Sequence, residues 1–289
     1  AVPAAVAPRD GALTQRTVAF ANVPEGGDAV RGRLPVLVND HVTVCCLHAD
    51  SASETVTFAD HDGDQLVCVL EGGATLDTPC GTLRANPAEH LWIPRAMPHR
   101  WRVDKLGLRA MVVELRGEFS VPSRWRNGYG QLAPEAPFRL RDLHRPNWFL
   151  RPHAAPEGIA CALRRGGAAW EATVTVDPLA TTGWDGAVYP VTLAWEVPLE
   201  RARDVDLLTA ERVMVRTRII SEKTPPLPGH GDLVTLALDG EGAASIVWEP
   251  LGVAPAVHGT LGGIVVQVVA RDPLALTANG ALLVDAPKA

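Results

Sequence analysis

Short apolar runs, each stopped by Gly or Pro, restrict this chain more than any other feature. Gln65–Leu70 is stopped by Glu71-Gly72-Gly73, Ala74–Thr78 by Cys80-Gly81, and His90–Ile93 by Pro94. Runs of this kind, rich in Val, Ile and Leu, recur from Val36–Val38 to Ala281–Val284. Spacing of about ten residues between turn signals predicts an all-β sandwich or barrel. No helical periodicity lasts long. Arg201–Glu211 is the best candidate for a helix, and it is short.

Composition narrows the class. Apolar residues make up 47% of 289 residues and charged residues 21%, which describes a globular rather than a disordered chain. A net charge of −6 argues against a nucleic-acid partner, which needs clustered Lys and Arg. Five cysteines, none in a Cys-x-x-Cys, predict free thiols and a cytoplasmic protein. Cys45 and Cys46 adjoin in a strand-like run, so they should face opposite ways. The apolar start, Ala1-Val2-Pro3-Ala4-Ala5-Val6-Ala7-Pro8, carries two prolines and no charged flank; it reads as a loose arm, with no membrane partner expected. From Pro122 to Pro156, Pro, Arg and Trp dominate, which suggests a cover over the fold rather than a flexible linker. Nothing resembles a phosphate-binding loop or a serine-hydrolase elbow.

Histidines stand near the punctuated hairpins, and their spacing resembles the two cupin signatures. His61-x-x-x-Gln65 fills the second His and the Glu of the first, with Ala59 where the first His would be, and Pro94-x-Ala96-x-x-His99 fills the second. In such a barrel His61, Gln65 and His99 would converge inside and hold a metal, since two imidazoles and an oxygen donor leave open positions. His61-Asp62-Gly63-Asp64-Gln65-Leu66, Gly81-Thr82-Leu83 and Ile93-Pro94-Arg95 narrow the resemblance to the homogentisate 1,2-dioxygenase family. So do Arg145-Pro146-Asn147-Trp148-Phe149-Leu150 and Thr182-Gly183-Trp184-Asp185-Gly186. The likeness runs from about Thr43 to Thr277, more closely in the first half.

That resemblance implies an all-β bicupin with a reduced second barrel. Residues 1–145 would hold the arm, first barrel and connector, and residues 146–289 the second barrel. It implies Fe(II) in the second barrel on two His and a carboxylate, for which His230, Asp232 and His258 form the alternative metal set. Asp185 stands where the family has a catalytic histidine, and a buried carboxylate there could take a proton. Two readings of function follow. One is a metal-dependent oxygenase acting on a small molecule such as an aromatic acid. The other is a metal-independent isomerase or cyclase, or a binding protein, with no cofactor. Association into a homo-oligomer stays open.

Overall fold

The structure is a computed structural model that describes residues 5–6, 14–50, 56–147, 158–180, 188–219, 231–238, 244–251 and 263–284. In chain order the strands are β1 (Ala5–Val6), β2 (Arg16–Ala19), β3 (Leu34–Val38), β4 (Val42–Ala49), β5 (Thr57–Asp60) and β6 (Gln65–Thr78). Then come β7 (Gly81–Ala85), β8 (Glu89–Ile93), β9 (His99–Leu115), β10 (Ile159–Arg165), β11 (Ala168–Val174) and β12 (Val191–Ala194). The last are β13 (Asp204–Thr209), β14 (Val213–Ile219), β15 (Asp232–Leu238), β16 (Ala244–Glu249), β17 (Ile264–Ala270) and β18 (Ala275–Thr277), followed by the short helix α1 (Ala278–Leu283). The all-β expectation holds.

Two sheets result. The larger follows the order β1-β18-β3-β4-β9-β5-β10-β11, with β6, β7, β8 and β12 joined around β9. The smaller runs β13-β14-β17-β15-β16-β2. Among the described residues, every strand pairing is antiparallel except that of β10 with β5. The long strands β6 and β9 bend as they pair, which curls the larger sheet into a barrel. Its interior holds Cys45, Leu47, Val67, Val69, Leu76, Trp101 and Val112. On alternate positions Cys46, Leu66, Cys68, Met111 and Val113 face outward and pack against Val215, Val234, Val266 and Val268 of the smaller sheet. Cys45 and Cys46 do take opposite faces, and all five thiols are free.

Two expectations about single elements fail. The run Glu71-Gly72-Gly73 is no hairpin, because β6 passes through it with register shifts on either side. Gly72 has φ +70, and a Cβ there would lie 2.0 Å from the Gly107 carbonyl oxygen. Close approach of two backbones at a bulge explains this glycine. Arg201–Glu211 forms no helix; it contains β13, whose Val205, Leu207 and Leu208 are buried. The sheet offers that segment more apolar burial than an isolated short helix could.

The two halves repeat one unit. Asp64, just before β6, accepts hydrogen bonds from Trp92 Nε1 (2.9 Å), Arg95 N (2.7 Å) and Phe119 N (2.8 Å). Asp232, opening β15, accepts from Trp248 Nε1 (3.0 Å), Leu251 N (2.9 Å) and Leu274 N (2.8 Å). Strand register agrees: Leu66 pairs with Trp92, and Val234 with Trp248. The preceding glycine is also shared. A Cβ on Gly63 would lie 2.2 Å from Leu115 O, and one on Gly231 2.0 Å from Ala270 O. The β6/β8/β9 core therefore recurs as β15/β16/β17, with β15 and β17 much shorter than β6 and β9, which is the bicupin arrangement with a reduced second half.

Sheet pairing crosses the expected boundary near residue 145 in both directions. β2, early in the chain, extends the smaller sheet beside β16. β10, β11, β12 and β18, all later, join the larger one. Up to residue 147, where it is described, the connector lies against β13. Trp125 donates through Nε1 to Asp206 O (3.1 Å), and Arg124 pairs with the Asp206 carboxylate. Trp148 and Phe149 lie outside the described residues.

Candidate functional site

Strand β5 sets what the first barrel presents to its interior. Its side chains alternate, so Phe58 and Asp60 point in while Thr57 and Ala59 take the other face. Phe58 packs edge-on against His99, with ring centroids 5.6 Å apart, and His99 in turn against Trp101 at 6.2 Å. Asp60 is buried. His61 is in phase with Ala59 and sits just past the strand end, where its N–H bonds to Arg164 O (2.8 Å) and its side chain is exposed. The expected convergence of His61, Gln65 and His99 therefore fails at His61. The buried acidic group beside Gln65 is Asp60.

Gln65 and Asp60 belong to a buried ionic network. Arg33 Nη1 donates to Gln65 Oε1 (2.9 Å) and Glu114 Oε1 (2.8 Å). Gln65 Nε2 donates to Asp60 Oδ2 (3.2 Å). Arg164 closes the ring, donating through Nη1 to Glu114 (2.6 Å) and through Nε to Asp60 (3.0 Å). Burial alone would raise the Glu114 pKa, but the Arg164 and Arg33 charges outweigh it and hold the carboxyl below its usual range. Two carboxylates and two guanidiniums leave the network neutral in sum. Both guanidinium carbons lie over the Phe58 ring, at 5.5 and 5.9 Å.

His99 is one residue of the expected set that does sit inside. Its Nδ1 lies 2.9 Å from Met97 O, a carbonyl that can only accept, so Nδ1 carries the proton and Nε2 is a bare lone pair. Burial pushes the His99 pKa down to about 3; the Met97 carbonyl opposes this, and the Arg33 charge adds to it. His99 is thus neutral near pH 7. Its Nε2 is fully buried without a partner, as are Arg33 Nη2 and Trp101 Nε1.

These residues do not fit a divalent cation in the first barrel. His61 is outside, the Gln65 oxygen already accepts from Arg33, and Asp60 and Glu114 are each paired with guanidinium. A cation there would have to displace the two guanidiniums from their carboxylates. Among the described residues no group of three or more His, Cys, Asp or Glu could hold a metal. Of the alternative set, Asp232 is the three-bonded staple described above, buried beneath Trp248. His230, His258 and Asp185 lie outside the described residues. Sequence reading missed Arg33 altogether and did not single out Arg164 from the other arginines.

A concave feature lies between the barrel and the smaller sheet. It is an apolar cavity of about 220 Å³, walled by Leu66, Trp92, Phe138, Leu143, Leu193 and Leu208 among others, with His90 at one side. No helix among the described residues is long and apolar enough to cross a membrane.

Known proteins resemble this chain in sequence. The family model for the homogentisate 1,2-dioxygenase N-terminal region matches residues 21–194, which takes in the ionic network, His99 and the connector. Saccharolobus solfataricus has a relative, "Putative dioxygenase SSO1533", 21% identical over 186 residues, or 64% of this chain and 47% of that one. Homogentisate 1,2-dioxygenase of Oryza sativa subsp. japonica is 27% identical over 144 residues, covering 49% of this chain and 29% of that one. The chain thus spans about half or less of the length of these curated relatives. Among solved structures, a cupin 2 conserved barrel domain protein from Leptotrichia buccalis superposes with a TM-score of 0.48 at 10% identity, over 88% of this chain and 95% of that one. The matched region is the barrel whose strands, staple and connector are described above, and on that match this chain belongs to the homogentisate 1,2-dioxygenase N-terminal family.

Proposed function

We propose that this chain binds a small hydroxylated molecule inside the first barrel and works there without a metal. One observation carries the reading. Three polar atoms in the barrel interior, Arg33 Nη2, His99 Nε2 and Trp101 Nε1, are buried with no partner. Buried polar groups left unpaired cost about 1–3 kcal/mol each, and a hydroxyl bound among these three would offset part of that cost. Two of them donate and His99 Nε2 accepts. A hydroxyl suits this mixture, since it donates to the imidazole lone pair and accepts from an N–H. An anion suits it less, because the surrounding network is already neutral and His99 carries no charge. With its pKa near 3, His99 serves as a hydrogen-bond acceptor that orients the hydroxyl.

The relatives favour a second reading, a metal-dependent oxygenase for a small aromatic acid. It needs Fe(II) held by His230 and His258 together with an oxygen donor other than Asp232, whose carboxylate holds three N–H groups. Asp185 would then be the proton acceptor.

Metal analysis of protein purified without added metal, followed by titration with simple phenols and benzyl alcohols, separates the two. The proposal expects no stoichiometric iron and saturable quenching of tryptophan fluorescence. His99→Ala should weaken that binding about tenfold, the value of one buried hydrogen bond. Stoichiometric iron that His99→Ala removes would overturn it. Iron that persists in His99→Ala, with oxygen uptake on hydroxylated aromatic acids, would move the chemistry to the second half.

A further inference from the structure

The cavity between the barrel and the smaller sheet has a chemistry opposite to that of the barrel interior. Its walls come from three places: the outer face of β6 and β8, the connector, and β12 with β13. No charged side chain lines it. His90 and Trp92 are the polar-capable residues in the wall, and both are spoken for. His90 Nε2 is 3.2 Å from Thr217 Oγ1 and Nδ1 is 3.5 Å from Cys68 Sγ, while Trp92 Nε1 donates to Asp64. Burial pushes the His90 pKa down to about 3, so the ring stays neutral. The cavity therefore offers apolar walls and no unused donor among its lining side chains.

Well-packed interiors hold few voids larger than a water molecule, and an opening of 220 Å³ is far above that. Water gains little there, because it needs two to four polar partners. An apolar cavity of about 150 Å³ suffices to take up benzene, so one of 220 Å³ accommodates a single ring with a substituent or a small fused pair. Trp92 and Phe138 supply aromatic surface to the lining. Leu140, 59% exposed, belongs to the connector wall, so the lining reaches solvent there.

We propose that this cavity is a binding site for one small uncharged aromatic molecule, with the connector as its outer wall. The site excludes ionised ligands, since a carboxylate inside would be buried with nothing to pair it. It is separate from the barrel interior and does not depend on whether that interior holds a hydroxylated ligand or on whether iron is present.

Calorimetric titration of the full chain with indole, and with its charged analogue indole-3-acetate, tests the proposal. Saturable one-to-one binding of indole is expected, with the acetate at least ~100-fold weaker because of the buried charge. Leu143→Trp, which fills the cavity from the connector side, should weaken indole at least ~10-fold while circular dichroism stays unchanged. On the wild-type chain, nuclear Overhauser contacts from indole protons to the Leu143 and Leu208 methyls answer the same question without a variant. Absence of saturable indole binding, equal binding of the acetate, or contacts confined to other residues would each overturn it. Phenols can enter this cavity too, so the barrel reading rests on the His99→Ala effect, which Leu143→Trp should leave unchanged, and the two proposals fall separately.

Discussion

Replacing Asp232 distinguishes a fold staple from a metal ligand. In Asp232→Ala, Trp248 Nε1 and Leu274 N lose their acceptor inside the fold, where both residues are about 5% exposed. Leu251 N loses one too, but Leu251 is 49% exposed and water can replace the carboxylate. Two orphaned buried donors at about 1–3 kcal/mol each give a loss of about 2–6 kcal/mol. Relief of the buried charge offsets part of this, which sets the expectation near 3 kcal/mol. Asp232→Asn can keep its oxygen toward Trp248 and Leu274 and should lose only about 1 kcal/mol. Asp64→Ala, at the equivalent place in the first unit, should match Asp232→Ala to within about 1 kcal/mol, because its bonds are the same in kind and number. Urea unfolding with a chelator present measures all three variants free of any metal contribution. Asp232→Ala costing under about 1 kcal/mol in chelator, while Asp64→Ala costs the full amount, would refute the staple and restore Asp232 to the metal set.

Acid should destabilise the chain well before its carboxylates protonate. His90 and His99 each fall from 6.5 to about 3 on folding, so their contribution is complete above pH 6.5 and is lost as pH drops toward 3. The limiting slope is about 1.4 kcal/mol per pH unit for each histidine, and a His90→Leu variant should lose one proton from the measured pH dependence of unfolding. Glu114→Gln, which leaves two buried guanidiniums short of a carboxylate, should cost about 3–5 kcal/mol in urea unfolding; a cost below about 1 would mean water screens the network. Ala96, at φ +60 and exposed, occupies a left-handed position, so Ala96→Gly should raise stability by about 0.5 kcal/mol in a thermal melt, and a lower melting point would count against backbone strain there.

Much of the barrel was legible in the sequence because apolar alternation and turn residues act locally. The opposite faces of Cys45 and Cys46 and the turn at Cys80-Gly81 follow from that. The phase of β5 was not legible. A four-residue strand ending at Asp60 gives too little alternation to show which of Asp60 and His61 turns inward, and the spacing to Gln65 favoured the wrong one. Arg33 was invisible because its partners, Gln65 and Glu114, lie 32 and 81 residues away. Glu71-Gly72-Gly73 resembled a turn, but a bulge at a close backbone approach uses the same residues. One local signal does mark the repeated unit. Gly-Asp ahead of a strand, then Trp-x-Pro at the end of the next, occurs as Gly63-Asp64 with Trp92-Ile93-Pro94 and again as Gly231-Asp232 with Trp248-Glu249-Pro250. Reading it as a repeat would have given Asp232 its structural role.

The pairing of β18 with β3 fixes an order of events during translation. β3 and β4 leave the ribosome early, yet the strand beside β3 is made from Ala275–Thr277, more than two hundred residues later. β12 likewise reaches β8 only after the connector has been made. Until then the barrel carries open strand edges with unpaired N–H and C=O groups, the kind of edge on which chains associate wrongly. β2 waits in the same way for β16. A nascent chain halted after residue 145 would expose β3, β8 and β2 at once, and would bind chaperones far longer than a barrel whose strands follow one another in sequence.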